Sequence, residues 1–322
     1  MQRTGREPQQ QLKQAAPLRR ASEVKNTTAG ELQNIVDIQG TDGILYMVLT
    51  PLIIITLLGT GIALGFISGL LGIGGGIIMT PVQYWLYTSL GIEPDLAIKM
   101  SFATTLAVIL PTAASGVWRH QRQGNIHWKV AIYMGLFTSA ASYIGATIAV
   151  NLPGAALKAG FGILGLIVAI RMVTVKISDE ERPIRQNLWL WIGLAIPIGI
   201  ITGILGIGGG IFVVPILVLV LRFRMRNAVA TSLAMMLFTS VGGIAGYIIN
   251  GLNVPELPDY TIGYVYWPAW IALTIGAIVM AQAGALVANK VPGRVLNYIL
   301  VALMFYISLD MLGVFSWIIG RF

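Results

Sequence analysis

Apolar runs separated by short polar turns account for nearly the whole chain after residue 43. At roughly 20 residues per bilayer crossing, the runs 44–67, 98–118, 128–150, 155–175, 228–249, 264–288 and 295–318 predict spanning helices. The run 188–202 is shorter, and 77–90 and 211–221 shorter still. Each of the last two follows a glycine cluster and predicts a half-helix or a tilted crossing. The turns between them are polar or carry proline: 91–95, 119–127, 151–154, 176–187, 222–226, 250–263 and 292–293. Residues 1–43 are polar and Gln-rich with no apolar periodicity. They predict a weakly ordered extension and not a secretory signal, whose apolar stretch would fall within the first 30 or so residues.

The glycine clusters are copies of one another. Gly69-Leu-Leu-Gly-Ile-Gly-Gly-Gly-Ile-Ile-Met-Thr-Pro81 recurs as Gly203-Ile-Leu-Gly-Ile-Gly-Gly-Gly-Ile-Phe-Val-Val-Pro215, identical at 9 of 13 positions at an offset of 134. Ser101 and Ala103 match Ser232 and Ala234 at an offset of 131, and Gly124, Trp128, Gly145, Pro153 and Gly154 match Gly263, Trp267, Gly284, Pro292 and Gly293 at 139. The chain is therefore a duplication, with repeat 1 at 44–176, a charged linker at 177–187 and repeat 2 at 188–320. Each repeat holds a glycine-broken helical hairpin followed by three helices. That odd count turns the second repeat over relative to the first.

Charge tests the inversion. The 92–97 turn is acidic while its counterpart 222–226 carries three arginines, and 119–127 carries Arg119 and Arg122 while 250–263 has Glu256 and Asp259. Matching loops of opposite charge are what the positive-inside rule requires of loops on opposite sides. On this reading 119–127, 176–187, 222–226 and 289–294 are cytoplasmic and both termini external. With 11% charged residues and a mean hydropathy of +0.79 the chain cannot coat a soluble globule of 322 residues. It is expected in the plasma membrane as a multi-pass protein. The net charge of +8 is spread over short loops, so it reports topology and lipid headgroups and not nucleic acid. Without cysteine there is no disulfide and no thiolate metal site, and no cofactor or metal is expected.

Three consecutive glycines inside an apolar segment unwind it, and lipid cannot satisfy the freed backbone groups. Such backbone is tolerated where it is buried in protein or lines a polar cavity, and paired broken segments at corresponding positions point to a transporter's binding site. Helices that restart at residues 77 and 211 would aim their N–H groups and positive dipole ends inward, forming a cradle for a small anion. The candidate site is Gly72, Gly74, Gly75 and Gly76 with Gly206, Gly208, Gly209 and Gly210, completed by the hydroxyls of Ser101, Thr104, Thr105, Thr231 and Ser232. The plainer readings are small-residue packing for the glycines and back-bonding within the helix for the hydroxyls. A nucleotide loop is excluded because no Lys-Ser/Thr follows the glycines. Asp310, deep in the last span, is a candidate coupling site for a proton or sodium ion, or else a structural ion-pair member. Lys99 and Arg171 are expected to snorkel to the interface. The two histidines, His120 and His127, belong to a solvated loop, and the Trp and Tyr residues of 260–270 form an interfacial belt. No nucleophile elbow or zinc motif suggests an intramembrane enzyme, and a structural protein would not need broken helices.

The paired Gly-x-x-Gly-Ile-Gly-Gly-Gly-x-x-x-x-Pro elements, the Ala-x-x-x-Ser continuations (97–101 and 228–232) and the 119–128 loop with Gly124-Asn125 resemble the sulfite exporter TauE/SafE family of membrane permeases. The resemblance runs from about residue 45 to the end. It implies export or exchange of small sulfur-containing anions such as sulfite or organosulfonates. The expectation is thus an all-α polytopic protein of two inverted-topology repeats, working by alternating access at a midplane site.

Overall fold

The computed structural model describes residues 51–71, 75–174, 187–287 and 293–314. The chain divides into two compact units, Met1–Ile53 and Ile54–Phe322. Of the first, only 51–53 are described, in the opening turn of α1, and the fold below is that of the second. Gly72 and Gly74, the 177–186 linker and residues 1–50 lie outside the described residues.

Ten helices and one short hairpin follow in order among the described residues: α1 (Pro51–Leu71), α2 (Gly76–Ser89), α3 (Pro94–Arg122), α4 (Trp128–Val150), α5 (Gly154–Thr174), α6 (Leu188–Leu205), α7 (Gly210–Leu219), α8 (Met225–Gly251), β1 (Thr261–Ile262), β2 (Val265–Tyr266), α9 (Trp267–Val287) and α10 (Gly293–Met311). α3 and α8 run past the apolar stretches 98–118 and 228–249 that predict them at both ends, because helix-compatible polar residues flank those stretches, and α4 coincides with its stretch. α3 opens on Pro94, whose missing N–H is no loss in a first turn. The expectation fails at 264–266, where a helix was predicted. Gly263 takes φ +55 and presses on the Ile248 backbone, Tyr260 takes φ 65, and the chain folds back into an antiparallel hairpin pairing Thr261 with Tyr266.

Among the described residues six helices, α3 to α6 with α8 and α9, are long and apolar enough to cross a membrane. α2 and α7 are not: at about 1.5 Å per residue their 14 and 10 residues span roughly 21 and 15 Å, against about 30 Å of hydrocarbon. Large apolar side chains spaced three or four apart stay uncovered on one face of α4 (Ile132, Leu136), α5 (Ile163, Ile167, Ile170) and α9 (Ile271, Ile275, Val279), as a lipid-facing belt requires. α3 is the central helix. In its most apolar 18-residue stretch 83% is buried, against 39% for α5 and α6.

Glycines set how the helices pair. Gly116 of α3 meets Leu233 of α8, while Gly243 of α8 meets Leu106 of α3, so these two helices run antiparallel. α4 runs parallel to α6, with Gly199 on Thr138 and Gly203 on Ser142, and parallel to α8, with Gly135 on Phe238 and Gly242 on Ser139. α1 runs parallel to α9: a Cβ on Gly65 would lie 2.5 Å from the Ala277 carbonyl, and one on Gly61 equally close to that of Leu273. α10 packs on α5. At one end of the bundle the His127 N–H donates to Thr231 Oγ1 (3.2 Å) and its ring lies 4.8 Å from that of Phe223, bringing loops 119–127 and 222–226 together. At the other end the Gly154 N–H donates to Asp95 Oδ1, and Tyr264 feels Asp95 and Glu256, so 91–95, 151–154 and 252–266 adjoin.

Candidate transport site at the paired helix breaks

The two breaks share one local geometry. Gly75 (φ +66) caps α2 and Gly209 (φ +93) caps α7, both left-handed, a region that costs a residue with a Cβ about 1–2 kcal/mol. Gly206 (φ +63) ends α6 against the Phe102 backbone, and Gly208 (φ +71) carries the chain between. The carbonyls of Gly75 and Gly209 each accept the first intrahelical bonds, from Ile78 and Met79 and from Phe212 and Val213, leaving the opening N–H groups of both helices unpaired within them. Gly210 begins α7 and is buried.

The breaks meet. A Cβ on Gly76 would lie 2.9 Å from the Ile207 carbonyl and 3.0 Å from Ile109 Cδ1, and one on Gly208 would lie 2.8 Å from the same Ile109 atom and 3.3 Å from Met236. Ile109 of α3 is thus the floor of both. The α3/α8 register places Ile109 opposite Ser240, whose hydroxyl is fully buried without a hydrogen-bond partner among the described residues. Each capping glycine also faces a buried hydroxyl residue one helix back: a Cβ on Gly75 would lie 3.4 Å from Ser68 Cβ, and one on Gly209 3.3 Å from Thr202 Cγ2. Ser68 and Thr202 were missed in the sequence, although they are counterparts at the same offset of 134 as the motif.

The predicted hydroxyls do not converge on one point. Thr105 Oγ1 takes hydrogen bonds from Thr80 Oγ1 (3.2 Å) and Gln83 Nε2 (2.9 Å), and the Tyr87 hydroxyl donates to Gln83 Oε1 (3.0 Å). Thr104 Oγ1 accepts from the Tyr266 N–H (3.0 Å). Thr80, Gln83, Tyr87, Thr104 and Thr105 are all completely buried. Ser101 and Ser232 instead bond back to Ala97 and Val229 of their own helices, and Thr231 accepts from His127 N. Leu233, beside Ser232, meets Gly116, so at about 1.5 Å per residue Ser101 and Ser232 are roughly 22 Å apart. Gln83 and Thr80 carry no signal in the sequence, because they sit inside an apolar half-helix.

Several charged and aromatic residues have other surroundings than expected. Lys99 does not snorkel: it is 6% exposed and pairs with Asp95 at 2.6 Å, one turn away in α3. Arg171 is exposed in the last turn of α5, as an interfacial cation should be. Asp310 Oδ2 accepts from Trp85 Nε1 (2.9 Å), tying α10 to α2. His127 is half-buried on Phe223, its Nδ1 has no hydrogen-bond partner among the described residues, and burial lowers its pKa below the ordinary imidazole value. The 260–270 aromatics are only partly a belt. Tyr260 and Trp267 are exposed, but Tyr264 and Tyr266 are buried, Tyr266 edge-on to Tyr87 at 5.7 Å, and Trp270 Nε1 donates to Ala107 O. Burial, then the charges of Asp95 and Glu256, raises the Tyr264 pKa.

The family model described as sulfite exporter TauE/SafE matches residues 57–311. A probable membrane transporter protein of Methanocaldococcus jannaschii is 32% identical over 272 residues, covering 83% of this chain and 97% of that protein. Similar proteins include probable membrane transporter proteins of Haemophilus influenzae (28% identical; 72% and 88% covered) and Bacillus subtilis (24%; 80% and 97%). No solved structure matches.

Proposed function

The chain belongs to the sulfite exporter TauE/SafE family, and on that premise we propose that it exports small sulfur-containing anions, sulfite or organosulfonates, through a midplane site at the paired breaks. It is a multi-pass membrane transporter and not an enzyme, as the family and its relatives are. The observation that carries the proposal is the contact of the two breaks over Ile109, where Gly76 abuts the Ile207 carbonyl.

We read the first five helices and the last five as inverted repeats. The antiparallel run of α3 and α8 supports this, as does the position of Ile109 and Ser240, which stand opposite each other and are counterparts at the offset of 131. A twofold axis in the membrane plane would pass between them, and the two breaks lie beside it. Alternating access then rocks the packing around a fixed site. Anion attraction comes from the openings of α2 and α7, each worth about half an elementary charge, and from the unpartnered hydroxyl of Ser240. An unpaired buried hydroxyl costs roughly 1–3 kcal/mol, which a bound oxyanion would relieve.

Two such helix ends offset about one negative charge, so the site should favour a monoanion, bisulfite or a monosulfonate, over sulfate. Thermal-shift titration of the purified protein with sulfite, ethanesulfonate and sulfate, followed by flux in proteoliposomes, tests this. Stabilisation and flux with the first two are expected. Sulfate carried as readily, with no dependence on pH or sodium, would place an unrecognised positive charge in the site and overturn the electrostatic reading.

A further inference from the structure

We propose that one wall of the site does the chemical recognition: Thr80 and Gln83 of α2, with Thr105 of α3, form a neutral, donor-rich subsite for the oxygens of the transported oxyanion. This rests on the transport reading above and adds two residues to which that reading gives no role.

Gly76, Thr80, Gln83 and Tyr87 recur at helical spacing on one face of α2, and that face is turned to α3, where Gly76 meets Ile109 and Thr80 and Gln83 bond Thr105. The polar stripe therefore begins at the break and runs to Tyr87 and Tyr266 beneath the 252–266 loop.

The cluster carries more donors than it uses among the described residues. Thr80, Thr105 and Tyr87 each carry one O–H and Gln83 two N–H groups, five donors in all. Among the described residues they make three hydrogen bonds with one another. Whichever way the amide of Gln83 faces, one of its N–H groups finds no acceptor among the described residues, in a side chain with no solvent exposure. A strut built only to hold two helices together would match its donors with acceptors, since unmet buried donors destabilise it. Leftover neutral donors suit the oxygens of a sulfite or sulfonate, and not a cation, which needs acceptors.

The two halves differ at these positions. At the offsets of 134 and 131 the counterparts of Thr80, Gln83, Tyr87, Thr104 and Thr105 are Val214, Leu217, Leu221, Met235 and Met236. All five are buried in one apolar cluster with Ile109, Val213 and Phe223. A duplicated fold thus tolerates purely apolar residues at every one of these positions. The polar set in the first half is not required by packing, and the apolar set in the second makes a dry plug on the far side of the break.

The test transplants the second half's residues into the first. Thr80→Val and Gln83→Leu are compared with the full-length wild type for sulfite and ethanesulfonate flux in proteoliposomes and for ligand-free thermal stability in detergent. Both variants should keep their melting temperature within a few degrees while the KM for sulfite rises at least tenfold and selectivity between the two anions collapses. Gln83→Glu, isosteric but acidic, should abolish anion-induced stabilisation. An unchanged KM in Thr80→Val and Gln83→Leu, whatever happens to the maximal rate, would make the cluster a strut and overturn the proposal. Should Gln83→Leu fail to purify as a monodisperse protein, Thr80→Val decides alone, because it exchanges one hydroxyl for a methyl. If wild type itself neither binds nor carries either anion, the transport reading falls and this one with it; if wild type carries both and the variants match it, only this one falls.

Discussion

Gly76→Ala isolates the contact between the breaks from the strain within them. Gly76 has ordinary helical backbone angles, so alanine is conformationally acceptable there, and the whole effect comes from one added methyl. That carbon would sit 2.9 Å from the Ile207 carbonyl oxygen and 3.0 Å from Ile109 Cδ1, where ordinary contact begins near 3.4 Å. The two breaks must separate by a few tenths of an ångström, and since one obstacle is backbone the strain does not vanish by rotamer change. Overpacking of this kind costs about 1–3 kcal/mol, enough to shift an equilibrium between two packed states by about 5- to 150-fold at 1.4 kcal/mol per tenfold. Gly91→Ala is the matched control for strain without contact. Its φ is +82 and nothing lies within 4 Å of its Cβ, so it should lose about 1–2 kcal/mol of stability and keep its transport rate per folded molecule. Both are measured as sulfite flux in proteoliposomes normalised to monodisperse protein. Wild-type flux in Gly76→Ala together with a dead Gly91→Ala would refute the idea that transport depends on how closely the breaks meet.

Single cysteines can be placed cleanly in a chain that has none, and Gln123→Cys and Glu256→Cys should react with a membrane-impermeant maleimide from opposite sides of the membrane; labelling of both in intact cells would sink the inverted arrangement. Trp85→Phe leaves Asp310 Oδ2 without its indole donor and should cost about 1–3 kcal/mol, seen as a lower melting temperature in detergent, whereas Asp310→Asn keeps an acceptor for Trp85 and should transport with an unchanged pH profile. A flattened profile in Asp310→Asn would make this residue the coupling carboxylate. Burial depresses the His127 pKa below its unfolded value of about 6.5, so folding disfavours its protonation: its share of stability is present above that pH and is lost as pH falls towards the folded pKa. Part of the fall in melting temperature between pH 7.5 and 5 should therefore disappear in His127→Phe, and an identical fall in both proteins would show that His127 carries none of it.

The helices, their order and the two breaks were legible in the sequence because each has a signature that survives without tertiary information: length of apolar run, turn residues between, and a glycine triplet that recurs. What was not legible is direction around each helix axis. In α2, Gln83 and Thr80 are flanked by residues as apolar as any lipid-facing stretch, and only the position of α3 shows that they point inward. Lys99 looked interfacial from its distance to the span end, but Asp95 one turn away offers a partner closer than water. Ser101 and Ser232 were grouped because they are counterparts, yet counterparts on antiparallel helices lie near each other only at the crossing, and both are far from Ile109. Composition alone points the Tyr264 and Tyr266 rings to an interface, but a hairpin turned by Gly263 folds them under the loop.

The glycine-lined helix pairs bear on how the protein is made. α1 lies along α9 through Gly61 and Gly65, and α4 lies along α6 through Gly199 and Gly203, so a helix from the first five is matched each time with one from the last five. The partner of α1 is synthesised some two hundred residues after it. A nascent chain that has emerged only to the charged linker carries a small-residue groove on α1 with nothing to fill it, and must wait in the bilayer for the second half to arrive. In this arrangement the glycine faces of α1 and α6 are each covered by a helix of the other half. Each half, expressed alone, would lack the helix that covers its glycine face unless a second copy supplied one.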